Sequence, residues 1–173
     1  GAVGGAKLIS SPPGMIPDAT IRFIPPDILD PHQNGGQTLL YYTGITRLAK
    51  NILQQVVGRY LDRDREAMGV LAGLHEVASQ VSEAMARKDL TEFGRLIDRV
   101  WQLNKQLDPD STTCQIESIL ARARPWIHGA KLLGAGGGGF LLLICKSSDD
   151  ARRLRTELDE DPPNDRARFF DFS

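Results

Sequence analysis

The chain is predicted to be an α+β sandwich, an antiparallel sheet carrying helices. Three observations predict it. Apolar residues recur at helical spacing in four successive stretches through residues 47–124. Short β-like runs stand on either side of that block, separated by Gly and Pro clusters. Finally, 173 residues with 41% hydrophobic and 25% charged content match an ordinary globular composition, enough for one domain or one and a part.

Taken in order, residues 1–38 hold six of the ten prolines. Residues 5–9 and 19–24 read as strands there, separated by the turn cluster Ser11-Pro12-Pro13-Gly14. Residues 38–43 form an apolar strand that stops at Gly44, and Thr46 is placed to cap a helix over 47–61. A second helix is predicted over 65–87, with Met68, Leu71, Leu74, Val77, Val81 and Met85 in helical register. A third over 91–107 puts Phe93, Leu96, Ile97, Val100, Leu103 and Leu107 on one face, and Asp108-Pro109 ends it. Ser111 or Thr112 caps a fourth, which carries Ile116, Ile119 and Leu120 and closes before Pro125.

Past Pro125 the period becomes that of strands. Residues 130–133 and 140–145 are β-like and flank a run that is nearly all glycine. A helix capped by Ser148 or Asp149 reaches about residue 158, and 167–172 is a last strand. From residue 38 the order strand, helices, strand, strand, helix, strand predicts a ferredoxin-like sandwich, with helices packed on one face of the sheet.

Composition also excludes functions. A net charge of −1 argues against a dedicated nucleic-acid binder, which needs clustered cations to displace counterions. No segment approaches the roughly 20 apolar residues of a membrane span, and no basic-then-apolar leader opens the chain. Cys114 and Cys145 stand in no metal-ligand spacing, and a reducing, cytoplasmic setting fits them. Cys145 ends an apolar run and reads as a small buried hydrophobe. His32, His75 and His128 are scattered, although His128 stands close to the glycines. Trp101 reads most simply as a core aromatic. Gly1 is no natural initiator, so a processed, tagged or excised piece is expected.

The glycine run is the one stretch that points to chemistry. Gly134-Ala135-Gly136-Gly137-Gly138-Gly139 formally fits G-x-G-x-x-G, but it leads into the β run Phe140–Cys145 rather than a helix. That excludes a Rossmann fingerprint. No Lys-Ser or Lys-Thr follows, which excludes a Walker loop. Two readings stay open: a glycine hairpin packed under a neighbouring loop, or a loop lying beside a phosphate.

Residues 129–140, Gly-Ala-Lys-Leu-Leu-Gly-Ala-Gly-Gly-Gly-Gly-Phe, resemble the third signature motif of the GHMP kinases, which include galactokinase and mevalonate kinase. The flanks 41–51 and 163–169 are similar to the L-fucokinase branch, with heptose 7-phosphate 1-kinases and galactokinase-like enzymes as alternatives. The resemblance implies a two-domain kinase that phosphorylates the anomeric hydroxyl of L-fucose or a related sugar. Residues 1–37 would end the N-terminal, ATP-binding domain, and 38–173 would be the C-terminal domain. ATP and Mg²⁺ would bind mainly to the N-terminal domain of the same parent chain, with no metal ligand here. By the same resemblance Gly134, Ala135, Gly136, Gly137, Gly138 and Gly139 support the phosphate loop and lie near ATP. Thr43, Gly44, Arg47 and Asn104 would lie near the substrate. Arg47 fits a bidentate contact to an oxyanion or a solvated first-turn arginine equally. Ser111 fits a cleft residue or a cap.

The family's P-x-x-x-G-L-G-S-S phosphate loop does not occur in these residues, and its catalytic aspartate is expected just before the strand at 5–9. No catalytic residue is therefore expected here, and these residues alone are expected to be inactive. A reading of another class is a non-catalytic ferredoxin-like ligand-binding module.

Overall fold

Short polar side chains set where the helices begin. The computed structural model describes residues 5–12, 14, 18–46, 52–134 and 136–172. The helix start expected after Thr46 falls on residues 47–51, outside the described residues, and α1 is described over Ile52–Leu61. Asp64 accepts the Ala67 amide at 2.8 Å and opens α2 (Arg65–Ala86). Asp89 accepts the Glu92 amide at 3.0 Å and opens α3 (Leu90–Leu107). Thr113 does the same for α4 (Cys114–Ala123), and Ser147 for α5 (Ser148–Glu160). Each cap satisfies an amide that a helix start leaves without a partner.

Two caps lie near, but not at, the residues expected from sequence. A cap must stand three residues ahead of the amide it accepts. Ser111 instead closes the 3-10 turn Pro109–Ser111, and Ser148 is already helical. At the other end of α3, the Arg59 guanidinium of α1 donates to the carbonyls of Gln106 (3.3 Å) and Leu107 (2.9 Å). A cation there meets the negative end of the helix dipole and ties α1 to α3.

The strands form two sheets. β1 (Ala6–Ser10) and β2 (Thr20–Ile24) pair antiparallel as a two-stranded ribbon. β3 (Thr38–Tyr42), β4 (Ile127–Leu132), β5 (Phe140–Cys145) and β6 (Arg168–Phe170) form the main sheet in the order β4-β5-β3-β6. Every pairing in it is antiparallel. This is the ferredoxin-like order, as the sequence predicts.

Coverage of the sheet differs from the expectation of one helical face. Successive strand residues point to opposite faces, and β5 is apolar at every position, so both of its faces require cover. Leu141, Leu143 and Cys145 join Leu39, Tyr41 and the buried residues of α4 and α5 in one cluster. Leu142 and Ile144 join a second cluster with Val77 of α2, Phe93 and Ile97 of α3, and Ile24 of β2. Trp101 of α3 belongs to the first cluster, so this helix contributes to both. Among the described residues no helix is long and apolar enough to cross a membrane.

α3 approaches β4 backbone to backbone. A Cβ on Gly129 would lie 1.9 Å from the Gly94 carbonyl oxygen, which leaves no room for any side chain. Gly129→Ala is expected to lower stability by about 3 kcal/mol, the upper range for overpacking. Gly69→Ala, on an exposed face of α2 with open space around it, is expected to raise stability by about 0.5–1 kcal/mol. Unfolding midpoints check the pair, and equal shifts would contradict the packing. Burial pushes the Cys145 thiol up to about 12, whereas Cys114 is exposed. Peptide mapping after alkylation of the native protein should therefore find label on Cys114 and none on Cys145.

Candidate functional site

The loop joining β4 to β5 is held between two neighbouring segments by its own backbone. The Gly137 amide donates to the Ser111 carbonyl at 2.6 Å, and the Gly139 amide donates to the Ile45 carbonyl at 2.9 Å. In return, the Gly139 carbonyl accepts the Thr43 amide and the Thr43 hydroxyl, each at 2.9 Å. Side chains would prevent this approach. A Cβ on Gly138 would stand 2.4 Å from the Ile45 carbonyl oxygen. One on Gly136 would stand 2.7 Å from Ser111 Cα, and Gly136 also has φ +104, in the region L side chains avoid.

The turn after β3 is fixed from a third direction. Asn164, in the loop before β6, donates from Nδ2 to the Thr43 carbonyl at 2.8 Å. Its Oδ1 accepts the amides of Arg166 (3.0 Å) and Ala167 (3.1 Å), an Asx-type turn that orients the side chain. Gly44 has φ +73, and a Cβ there would lie 1.9 Å from Asn164 Oδ1. A polar hollow of about 340 Å³ is lined by Gly44, Ile45, Gln115, Asn164, Asp165 and Arg166.

A second cavity, of about 190 Å³, is lined by Trp101, Asn104, Asp108, Ser111, Gly134 and Gly136, among others. The last turns of α3 bring Trp101 and Asn104 together, because positions i and i+3 share a helix face, and Asp108 follows as the extended residue that ends the helix. Trp101, Asp108 and Ser111 are themselves buried, at 1%, 4% and 3% exposed, and Val56 and Leu107 complete a lining that is more apolar than polar.

Of the residues singled out in the sequence, Gly136, Gly137, Gly138, Gly139, Thr43 and Gly44 meet in this one network. Gly134 and Asn104 line the cavity. Arg47 and Ala135 lie outside the described residues. The Thr43 hydroxyl is committed to the loop, as are the amides of Gly137 and Gly139. The loop is therefore built to be held in place more than to grip an anion with those amides. His128 stands at the Cys145 end of β4, away from the glycines, with Nε2 3.2 Å from Thr91 Oγ1. Burial, with help from Lys146, lowers its pKa. Among the described residues no group of three or more His, Cys, Asp or Glu is placed to hold a metal.

Sequence reasoning missed Asn164, Trp101 and Asp108 as parts of the site. The i, i+3 spacing of Trp101 and Asn104 on one helix is a readable signal. The reach of Asn164 across 121 positions to Thr43 is not.

Residues 81–164 match the family model described as GHMP kinases C terminal. The chain is 35% identical over 173 residues to an L-fucokinase/L-fucose-1-P guanylyltransferase of Bacteroides fragilis, covering all of this chain and 18% of that protein. It is 34% identical over 164 residues to the bifunctional fucokinase/GDP-fucose pyrophosphorylase of Arabidopsis thaliana, covering 92% of this chain and 15% of that protein. The chain thus spans less than a fifth of the length of either relative. Among solved structures, the mevalonate kinase of L. major in complex with R-mevalonate superposes with a TM-score of 0.72 at 23% identity. That match covers 96% of this chain and 48% of the other.

The Gly44–Asn164 contact makes a quantitative prediction. Gly44→Ala and Asn164→Ala should each destabilise the fold, the second by about 1–2 kcal/mol for the lost hydrogen bonds. Together they should cost less than their sum, by about 1 kcal/mol or more, because removing the Asn164 side chain makes room for the new methyl. Additive losses in a double-mutant cycle would show that the two residues do not press on one another.

Proposed function

We propose that the chain, whose residues 81–164 match the family model of the GHMP kinase C-terminal domain, is the C-terminal part of an ATP-dependent sugar kinase acting on the anomeric hydroxyl of L-fucose or a related sugar. The observation that carries the substrate is the 35% identity, along the whole of this chain, to a protein described as an L-fucokinase. The glycine loop supports the kinase reading by its construction. Phosphoryl transfer depends on positioning and charge neutralisation more than on covalent chemistry by the protein. A loop locked at Ser111 and at Ile45 is a rigid wall suited to positioning.

In this reading ATP supplies the phosphoryl group and Mg²⁺ neutralises its charge, both held mainly by the N-terminal domain. Residues 134–139 form the floor behind the phosphate loop. Thr43 and Gly44 shape the turn facing the sugar, and Asn104 lines the cavity beside the glycine loop. Residues 1–37 close the N-terminal domain. The outward face of the β1–β2 ribbon, where Ile9, Phe23 and Ile21 are 56%, 60% and 47% exposed, supports a partner layer there. The P-x-x-x-G-L-G-S-S pattern does not occur in these 173 residues, and in this reading catalysis draws on the rest of the kinase, which works in the cytoplasm.

The full-length kinase is expected to consume ATP with L-fucose, and the 173 residues alone are expected to give no turnover. No turnover of the full-length protein across L-fucose, galactose, arabinose and heptose 7-phosphate would overturn the sugar-kinase reading. Gly138→Ala, which forces the loop away from Ile45, should lower kcat by roughly a hundredfold, the scale of a 1 Å misplacement. Steady-state kinetics read this directly. A variant with wild-type kcat would remove the loop from the site.

A further inference from the structure

The β1–β2 ribbon and the helices beneath it do not close on one another. Between them lies a cavity of about 490 Å³, larger than the two beside the glycine loop. It falls within the roughly 300–1,000 Å³ of small-molecule sites. Leu8 of β1, Ile24 of β2, Leu74 and Val81 of α2, and Ile97 and Val100 of α3 supply its apolar wall. Its described lining residues include no aromatic ring and no carboxylate. A flexible hydrocarbon fits such a wall, which gives a flat ring nothing to stack on.

The charge in that wall is positive. Lys131 lines the cavity from β4. Its register partner is Leu142 of the second apolar cluster, so its side chain leaves the sheet on the α3 side. A lysine on an edge strand ordinarily reaches into water. This one is half-buried, and burial lowers its pKa. An ammonium has three donors, and the one hydrogen bond described for this one goes to the Leu132 carbonyl at 2.9 Å. Lys7 lines the cavity as well, and Arg22 donates to Ser82 of the same wall at 2.7 Å. Cationic groups around an apolar hollow without an acid complement a ligand that is hydrocarbon at one end and negative at the other.

We propose that this cavity binds a straight-chain aliphatic acid, its chain lying between the ribbon and α2–α3 and its carboxylate meeting Lys131. The site is separate from the glycine loop and does not depend on the reaction assigned to the chain. A carboxylate restores to the ammonium what burial takes from it, which is why buried charges are found paired. The hydrocarbon gives the lining the contacts that an unfilled space withholds. Because the ribbon and both helices supply the wall, an occupied site joins them.

Calorimetric titration of the full-length protein with hexanoate, octanoate and decanoate, below micelle formation, tests this. Kd is expected to tighten roughly tenfold for each two methylenes added, the worth of their burial. Lys131→Met keeps the aliphatic stem and removes the charge. It should weaken octanoate roughly tenfold or more and leave methyl octanoate unchanged, whereas Lys131→Arg should keep octanoate binding. Ile21→Lys, on the outer face of the ribbon, should alter neither ligand, and thermal melting confirms each fold. In the wild type octanoate should bind more tightly than its methyl ester, which keeps the charge contact testable if Lys131→Met does not fold. Affinity independent of chain length, equal affinity for acid and ester, or unchanged octanoate binding in Lys131→Met overturns the proposal. Loss of binding in Ile21→Lys alone moves the acid to the exposed ribbon face and also overturns it. A wild type that binds none of the three acids overturns it as well, leaving the cavity to another part of the same protein.

Discussion

Two backbones can lie against each other only where no side chain intervenes, and the molecule depends on that condition at its glycine loop. The loop between β4 and β5 reaches the Thr43–Ile45 turn on one side and Ser111 on the other through direct amide-to-carbonyl bonds. Glycine gives up more conformational freedom on folding than any other residue, so such a run is unfavourable unless the contacts made are worth more. Here the return is registration. The sheet, the turn entering α1 and the turn leaving α3 are fixed relative to one another by a few bonds clustered around the loop.

Much of the fold was legible because β5 and α3 carry unambiguous patterns. Phe140–Cys145 is short, apolar and preceded by glycines, and α3 keeps its apolar spacing for five turns. Helical cover on both sheet faces was harder to read, although the all-apolar β5 implied it. Cap positions moved by a residue or two because Ser and Thr cluster at 111–113 and Ser at 147–148, and only the backbone decides which of them leads the helix. The glycine motif announced the site, while its supports did not announce themselves. Asn164 reads as an ordinary turn residue, and Asp108 as a helix end, until the chain folds back.

α3 is where fold and site meet. Its first half packs Phe93 and Ile97 against the ribbon side of the sheet, and its second half sends Trp101 into the opposite cluster. Arg59 closes its last carbonyls, and Asp108 then turns the chain toward Ser111 and the loop. The two apolar clusters are thus joined by one continuous helix, and neither can loosen without disturbing the other. A cavity wall carried by such an element is rigid without a dedicated framework of its own.

The β1–β2 ribbon has a consequence for handling the protein. A two-stranded sheet has two outer edges whose amides and carbonyls find no third strand among the described residues. This one adds an outer face on which Ile9, Ile21 and Phe23 are exposed. Flat apolar edges of that kind are templates for pairing between molecules. Where nothing covers it, that ribbon is the place at which association between copies is expected to begin. A lysine placed at Ile21, outward and away from α2, is the economical remedy.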